Sequence, residues 1–234
     1  MLPALERRHD VLAPTLAGHA GGPALDGEID APALADAVER TMDAAGFATA
    51  HLVGNSLGAY VALQLAARGR ARTVVAFAPA GGWAAGDDSF QDLLAFQASL
   101  HAQARTAAPH AEALLASPEG RRRATQYLTT NYAHIPEELL AHQLLGVARC
   151  DAALDLIAHA MRADWTLDVE RIACPVRIVW GTDDRLLPCP AAAERYRREW
   201  LPHADWVELE GVGHCPQLDV PLEAAQLILG WTAE

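Results

Sequence analysis

Two rhythms of apolar and polar positions alternate along the chain. Short, nearly unbroken apolar runs at 51–53, 73–78, 176–180 and 204–209 end at glycine, proline or a polar turn, and predict buried strands. A further run, His9 to Leu12, predicts a short strand that stops at Ala13-Pro14. Between these runs the period lengthens. Leu34, Val38 and Met42 recur every fourth position behind Asp30 and Pro32, so Asp30 is expected to cap a helix that Gly46 ends. Leu57 to Ala67 is apolar on nearly every face, which predicts a buried helix closed by Arg68-Gly69. Helices are also expected over 191–200 and 222–231. Strands alternating with helices in this way imply βαβ units, hence an α/β fold with a mostly parallel sheet of about five strands.

The rhythm breaks between 83 and 165. Phe90, Leu93, Leu94, Phe96 and Leu100 share a helical spacing, Pro136-Glu137-Glu138-Leu139-Leu140 opens another helix, and no strand pattern intervenes. The expected organisation is a core built from 1–82 and 166–234, interrupted by a helical insertion at 83–165. That insertion reads either as a lid over the sheet or as more of the core.

Composition narrows the class. A chain of 234 residues that is 51% hydrophobic can bury a substantial core. The net charge is −12 and every basic residue is arginine. The single basic cluster, Arg121-Arg122-Arg123, is expected on a solvated helix face, so no nucleic acid and no membrane is expected as partner. The expected partner is a small-molecule substrate. The first residues lack the apolar run of a signal peptide, and no segment could span a bilayer. Cys150, Cys174, Cys189 and Cys215 show no Cys-x-x-Cys spacing. The expectation is a cytoplasmic protein with reduced thiols.

The chemistry gathers at Gly54-Asn55-Ser56-Leu57-Gly58, a Gly-x-Ser-x-Gly turn between a predicted strand and a predicted helix. A serine in so tight a turn is driven toward positive φ, with small residues expected two positions either side. Its hydroxyl is held above the sheet, and the N-terminus of the following helix points at it, where an oxyanion would form. With 17 Gly and four Ser in the chain, chance supplies only about 0.02 such motifs at ordinary Gly usage. Serine becomes a nucleophile only when a base removes its proton, and the base needs an anion to orient it. Loops after two later predicted strands offer both: Asp183 or Asp184 in Gly181 to Pro188, and His214 in Gly211 to Pro216. The His214-Cys215 pair has no companions that would complete a metal site, and no cofactor is expected.

In this order the three motifs resemble the α/β-hydrolase fold family, in its cap-bearing esterase and carbon–carbon bond hydrolase branch. Gly54 to Gly58 is similar to that family's nucleophile elbow, Trp180 to Pro188 to its Trp-Gly-x-x-Asp-x-x-x-Pro acid loop, and Gly213-His214-Cys215-Pro216 to its base loop. The resemblance implies Ser56 as nucleophile, Asp184 as acid and His214 as base, with Asp183 as the alternative acid. It implies the Leu57 N–H as oxyanion donor and Asn55, Trp83 and Phe96 as substrate contacts. Gly18-His19-Ala20-Gly21 resembles the family's Gly-His-Gly-x-Ser loop imperfectly, and His19 reads as a loop-packing residue. The substrate class rests on the insertion, whose apolar residues favour a small, largely apolar ester, or a ketone in the carbon–carbon hydrolase variant. Acyl transfer to another alcohol is equally compatible.

The resemblance also implies an N-terminally shortened sheet. In the family a strand ending in His-Gly precedes the segment matching 9–22 and supplies a second oxyanion N–H, a donor whose loss costs about 2.7–4 kcal/mol. Without it, either the strand at 9–12 slides beside the one at 50–54 and pairs with it in parallel, or the chain folds poorly. The competing reading is a weakly active or non-catalytic remnant that binds a small molecule.

Overall fold

The computed structural model describes residues 1–25, 30–162 and 164–232. Four strands form one parallel sheet in sequence order: β1 (Ala50–Asn55), β2 (Ala71–Phe77), β3 (Val176–Gly181) and β4 (Asp205–Leu209). Alternation along the strands divides their side chains between two faces. Val74, Ala76, Ile178 and Trp180 pack against α3 (Leu57–Ala67) and the stretch from Ala192 to Trp200. Val75, Phe77, Val179 and Leu209 pack against α1 (Leu2–Leu5) and the C-terminal α10 (Pro221–Trp231). The result is a sheet between helical layers.

The all-round apolar character of α3 follows from having two neighbours. Ala59, Leu63 and Ala66 face the sheet, while Val61 and Leu65 meet Leu34, Ala37 and Met42 of α2 (Ala31–Ala44). Leu63 is fully buried, so its truncation to Ala would cost about 2–5 kcal/mol. Asp30 caps α2 as expected, its carboxylate accepting the Ala33 N–H at 2.7 Å. The predicted helix at 191–200 forms without a break, opening as a 3₁₀ turn (Ala191–Ala193) and closing as a π turn (Tyr196–Trp200).

The expected strand at 9–12 does not form, and the expected sheet of about five strands has four among the described residues. Side chains hold this segment elsewhere: His9 Nε2 lies 2.9 Å from Thr232 Oγ1 at the end of α10, and its ring stands edge-on to His51 at 5.7 Å. Val11 joins the cluster under α10. Among the described residues β1 therefore pairs on one side only.

Between β2 and β3 the regular structure among the described residues is helical: α4 (Ser89–Ala107), α5 (Ala111–Leu115), α6 (Pro118–Thr125), α7 (Glu137–Ala148) and α8 (Ala153–Ala160). No described helix is long and apolar enough to cross a membrane.

Candidate active site

Ser56 follows β1 immediately and caps α3 with φ 55° and ψ −121°, one of two non-glycine residues described at positive φ. Its backbone is held in that strain by its N–H to Phe77 O at 2.9 Å, and by Ala80 N–H and Tyr60 N–H donating to its carbonyl at 3.2 and 3.1 Å. Gly54 is required by close approach, since a Cβ there would stand 2.3 Å from Gly58 O. Gly58 is not: a Cβ at that position meets nothing, so the expected crowding is one-sided. The Ser56 hydroxyl and the Leu57 N–H have no hydrogen-bond partner among the described residues, and both residues line a cavity of about 210 Å³.

The acid and base loops meet at the carboxyl ends of β3 and β4. His214 Nδ1 lies 2.8 Å from Asp184 Oδ2, with both side chains essentially buried. Asp184 Oδ1 accepts the N–H groups of Leu186 and Leu187 at 2.9 and 2.7 Å, so its own turn orients the carboxylate. Asp183 points outward and is exposed.

Asn55 is not among the residues lining the cavity, against its expected substrate contact. It ties loops together instead. Its amide donates to Phe77 O at 3.2 Å and His214 O at 2.9 Å, and its carbonyl oxygen accepts from Gln217 Nε2 at 3.1 Å. The residue before Ser56 is thus bonded to His214. Trp83 is buried and lines the cavity. Phe96 does not line it: α4 turns Leu94 and Gln97 toward the cavity, and one residue back from Gln97 the helix has rotated about 100°. Phe96 stacks edge-on against Tyr127 at 4.9 Å. His19 lies outside the cavity lining, its Nδ1 3.2 Å from Ala17 O, as a loop-packing residue would.

Asp219 went unmarked in the sequence, where a carboxylate five residues after a histidine resembles any solvated acid. In α9 (Pro216–Asp219) it is 2% exposed and acts as a clamp. Its Oδ2 accepts the Gly213 N–H at 2.6 Å, and its Oδ1 the N–H groups of Thr130 and Asn131 at 2.9 and 2.7 Å. Cys215 N–H donates to Leu128 O at 2.8 Å, so the His214 loop is stitched to the α6–α7 connection on both sides of the histidine. Burial first, then the Asp184 and Asp219 charges, push the Cys215 thiol up to about 12. It is a neutral thiol, not a rival nucleophile. Among the described residues no group of three or more His, Cys, Asp or Glu side chains could hold a metal ion.

The model of the alpha/beta hydrolase family matches residues 1–227. The chain belongs to the alpha/beta hydrolase family. Within it the chain is 34% identical over 203 residues to epoxide hydrolase EphH of Mycobacterium tuberculosis (strain ATCC 25618 / H37Rv), covering 86% of this chain and 94% of that protein. It is 28% identical over 178 residues to the putative carbamate hydrolase RutD of Caulobacter sp. (strain K31), 74% of this chain and 63% of that one. The fold of this alpha/beta hydrolase is similar to that of 2-hydroxy-6-oxo-6-phenylhexa-2,4-dienoate hydrolase (BphD) from Rhodococcus sp. strain RHA1. The TM-score is 0.72 at 20% identity, over 100% of this chain and 83% of that one. The meta-cleavage product hydrolase CumD from Pseudomonas fluorescens IP01 gives a TM-score of 0.71 at 18% identity, over 99% of this chain and 82% of that one.

Proposed function

We propose that this alpha/beta hydrolase is a serine hydrolase of small, largely apolar carbonyl substrates, an ester above all. The observation that carries the reading is a strained, unpartnered Ser56 hydroxyl opening on a cavity, with its neighbour Asn55 bonded to the buried histidine that Asp184 orients. Ser56 Oγ attacks the carbonyl carbon and its proton passes to His214 Nε2. The tetrahedral oxyanion is held by the Leu57 N–H and the positive end of α3. His214 then protonates the departing alcohol, leaving an acyl group on Ser56. Water, deprotonated by His214, attacks that acyl carbonyl and frees the acid. Asp184 keeps the imidazole in the tautomer that accepts at Nε2. The helices between 83 and 165 act as a cap, with Trp83, Leu94 and Ile157 forming part of the cavity wall. A cavity of about 210 Å³ suits a small substrate.

The EphH likeness favours one second reading, epoxide opening. Ser56 as nucleophile fits it poorly, because an epoxide opened by an alkoxide leaves an ether with no carbonyl for water to attack. Epoxide hydrolysis here would instead need His214 to activate water directly, with Ser56 a bystander.

A fluorophosphonate probe separates these readings. Labelling at Ser56, lost together with ester hydrolysis in Ser56→Ala, is the expected result. Epoxide turnover that survives Ser56→Ala would replace the serine reading by the second one. Silence toward probe and both substrates in a folded protein would leave a small-molecule-binding remnant.

A further inference from the structure

The cavity beside Ser56 has a sign. Asp30 and the exposed Asp164 stand in its wall, His159 is the one basic side chain there, and no arginine lines it among the described residues. The chain contains no lysine, and residues 26–29 and 163, outside the described set, are Asp, Gly, Glu, Ile and Ala. Asp30 is held in place, its carboxylate accepting the Ala33 N–H at 2.7 Å. Two arginines reach residues of the wall and are already engaged. Arg68 donates to Pro32 O at 3.3 Å and pairs with Asp36 and Glu39, each at 2.5 Å. Arg195 donates to Trp165 O at 2.9 Å and pairs with Glu199 at 3.3 Å.

We propose that this cavity selects by charge, taking neutral or cationic ligands and rejecting carboxylates. A carboxylate entering it sheds hydration and meets two like charges, with the His159 imidazole as the one basic group among the described wall residues. The net charge of −12 repels it on approach as well. Acyl transfer sharpens the discrimination, since the oxyanion would add a further negative charge beside the first. The contrast with the BphD likeness is chemical: that protein's name specifies a dienoate, an anion, whereas this wall sets two carboxylates against a single histidine. The catalytic part of this selection rests on the serine reading of the site; the binding part stands without it.

The test uses three butyramides whose N-alkyl arms end in tert-butyl, its isostere trimethylammonium, or the smaller, planar carboxylate. They are not hydrolysed readily, and their binding is read by the fluorescence of Trp83 and Trp165 in the cavity wall at pH 8.5, above the ordinary imidazole range. The carboxylate is expected to bind at least about tenfold more weakly than the tert-butyl compound, and the trimethylammonium compound at least as well. In the Asp30→Asn/Asp164→Asn variant, where Asn still caps α2, the carboxylate penalty should shrink to about threefold or less. Equal binding of all three, an unchanged penalty in the double variant, or no binding of any would overturn the proposal. If the double variant does not fold, the order of the three ligands on the unaltered chain decides. Charge-ordered binding without fluorophosphonate labelling of Ser56 would sustain the selection and sink only the serine chemistry.

Discussion

Asp184 Oδ2 stands 2.8 Å from His214 Nδ1, while Asp183, its neighbour in the same loop, is turned out to solvent. One residue of backbone separates a buried orienting carboxylate from a surface one. The distinction comes from the turn: Asp184 folds back over the N–H groups of Leu186 and Leu187, which leaves its second oxygen for the imidazole.

Asp184→Asn should therefore lower kcat for an activated ester by about 10⁴-fold, because an amide can hold His214 in the wrong tautomer. Asp183→Asn should stay within about threefold of the unaltered chain. Steady-state kinetics of the two variants side by side is the check, and comparable losses would remove Asp184 from its role.

Trp83 and Phe96 should part company. Trp83 lines the cavity, so Trp83→Ala is expected to shift the preferred acyl chain toward longer esters. Phe96 packs on Tyr127, so Phe96→Ala should lower Tm through a lost aromatic pair worth about 0.5–1.5 kcal/mol and leave the chain-length profile alone. A C2–C10 series of p-nitrophenyl esters with both variants decides it.

The Asp219 clamp makes a prediction on both stability and rate. Asp219→Asn turns an amide donor toward backbone N–H groups that already donate, at a cost of about 1–3 kcal/mol per unsatisfied group. Because Gly213 precedes His214, kcat should fall while KM holds, and Asp219→Glu should restore part of the rate. A KM that rose with kcat unchanged would place Asp219 outside the positioning of the base.

Cys215 makes a prediction in alkali. Its thiol, held protonated up to about 12 in the folded chain, ionises near 9 once unfolded. The folded state then binds the extra proton between those values, so stability is intact below pH 9 and declines as pH rises above it. The decline between pH 8 and pH 10 is about 1.4 kcal/mol from this group. Urea unfolding at the two pH values should show a loss smaller by that amount in Cys215→Ala than in the unaltered chain.

What the sequence determined alone was local. The strained elbow at Ser56, the cap of α2 at Asp30, the two-faced burial of β2 and the all-helical stretch between β2 and β3 each depend on residues within a few positions of one another. Turn chemistry and hydrophobic period encode such relations directly. That Ser56, Asp184 and His214 each follow a strand was legible for the same reason, as three loop motifs each recognisable by itself.

The rest was decided by partners far apart in the chain. Asp219 finds Thr130 across 89 positions, and Asn55 finds His214 across 159. No periodicity distinguishes those side chains from solvated ones. The segment 9–12 has a strand's composition, yet a strand exists only where a neighbour offers its backbone, and here His9 is drawn to Thr232 and Val11 to the cluster under α10. Phe96 carries the same apolar signal as Leu94, and only the rotation of α4 against its neighbours sends one to the cavity and the other to Tyr127. The sign of the cavity belongs here too, for Asp30 and Asp164 lie 134 positions apart and become one electrostatic wall only when α2 and the stretch after α8 close around the same space.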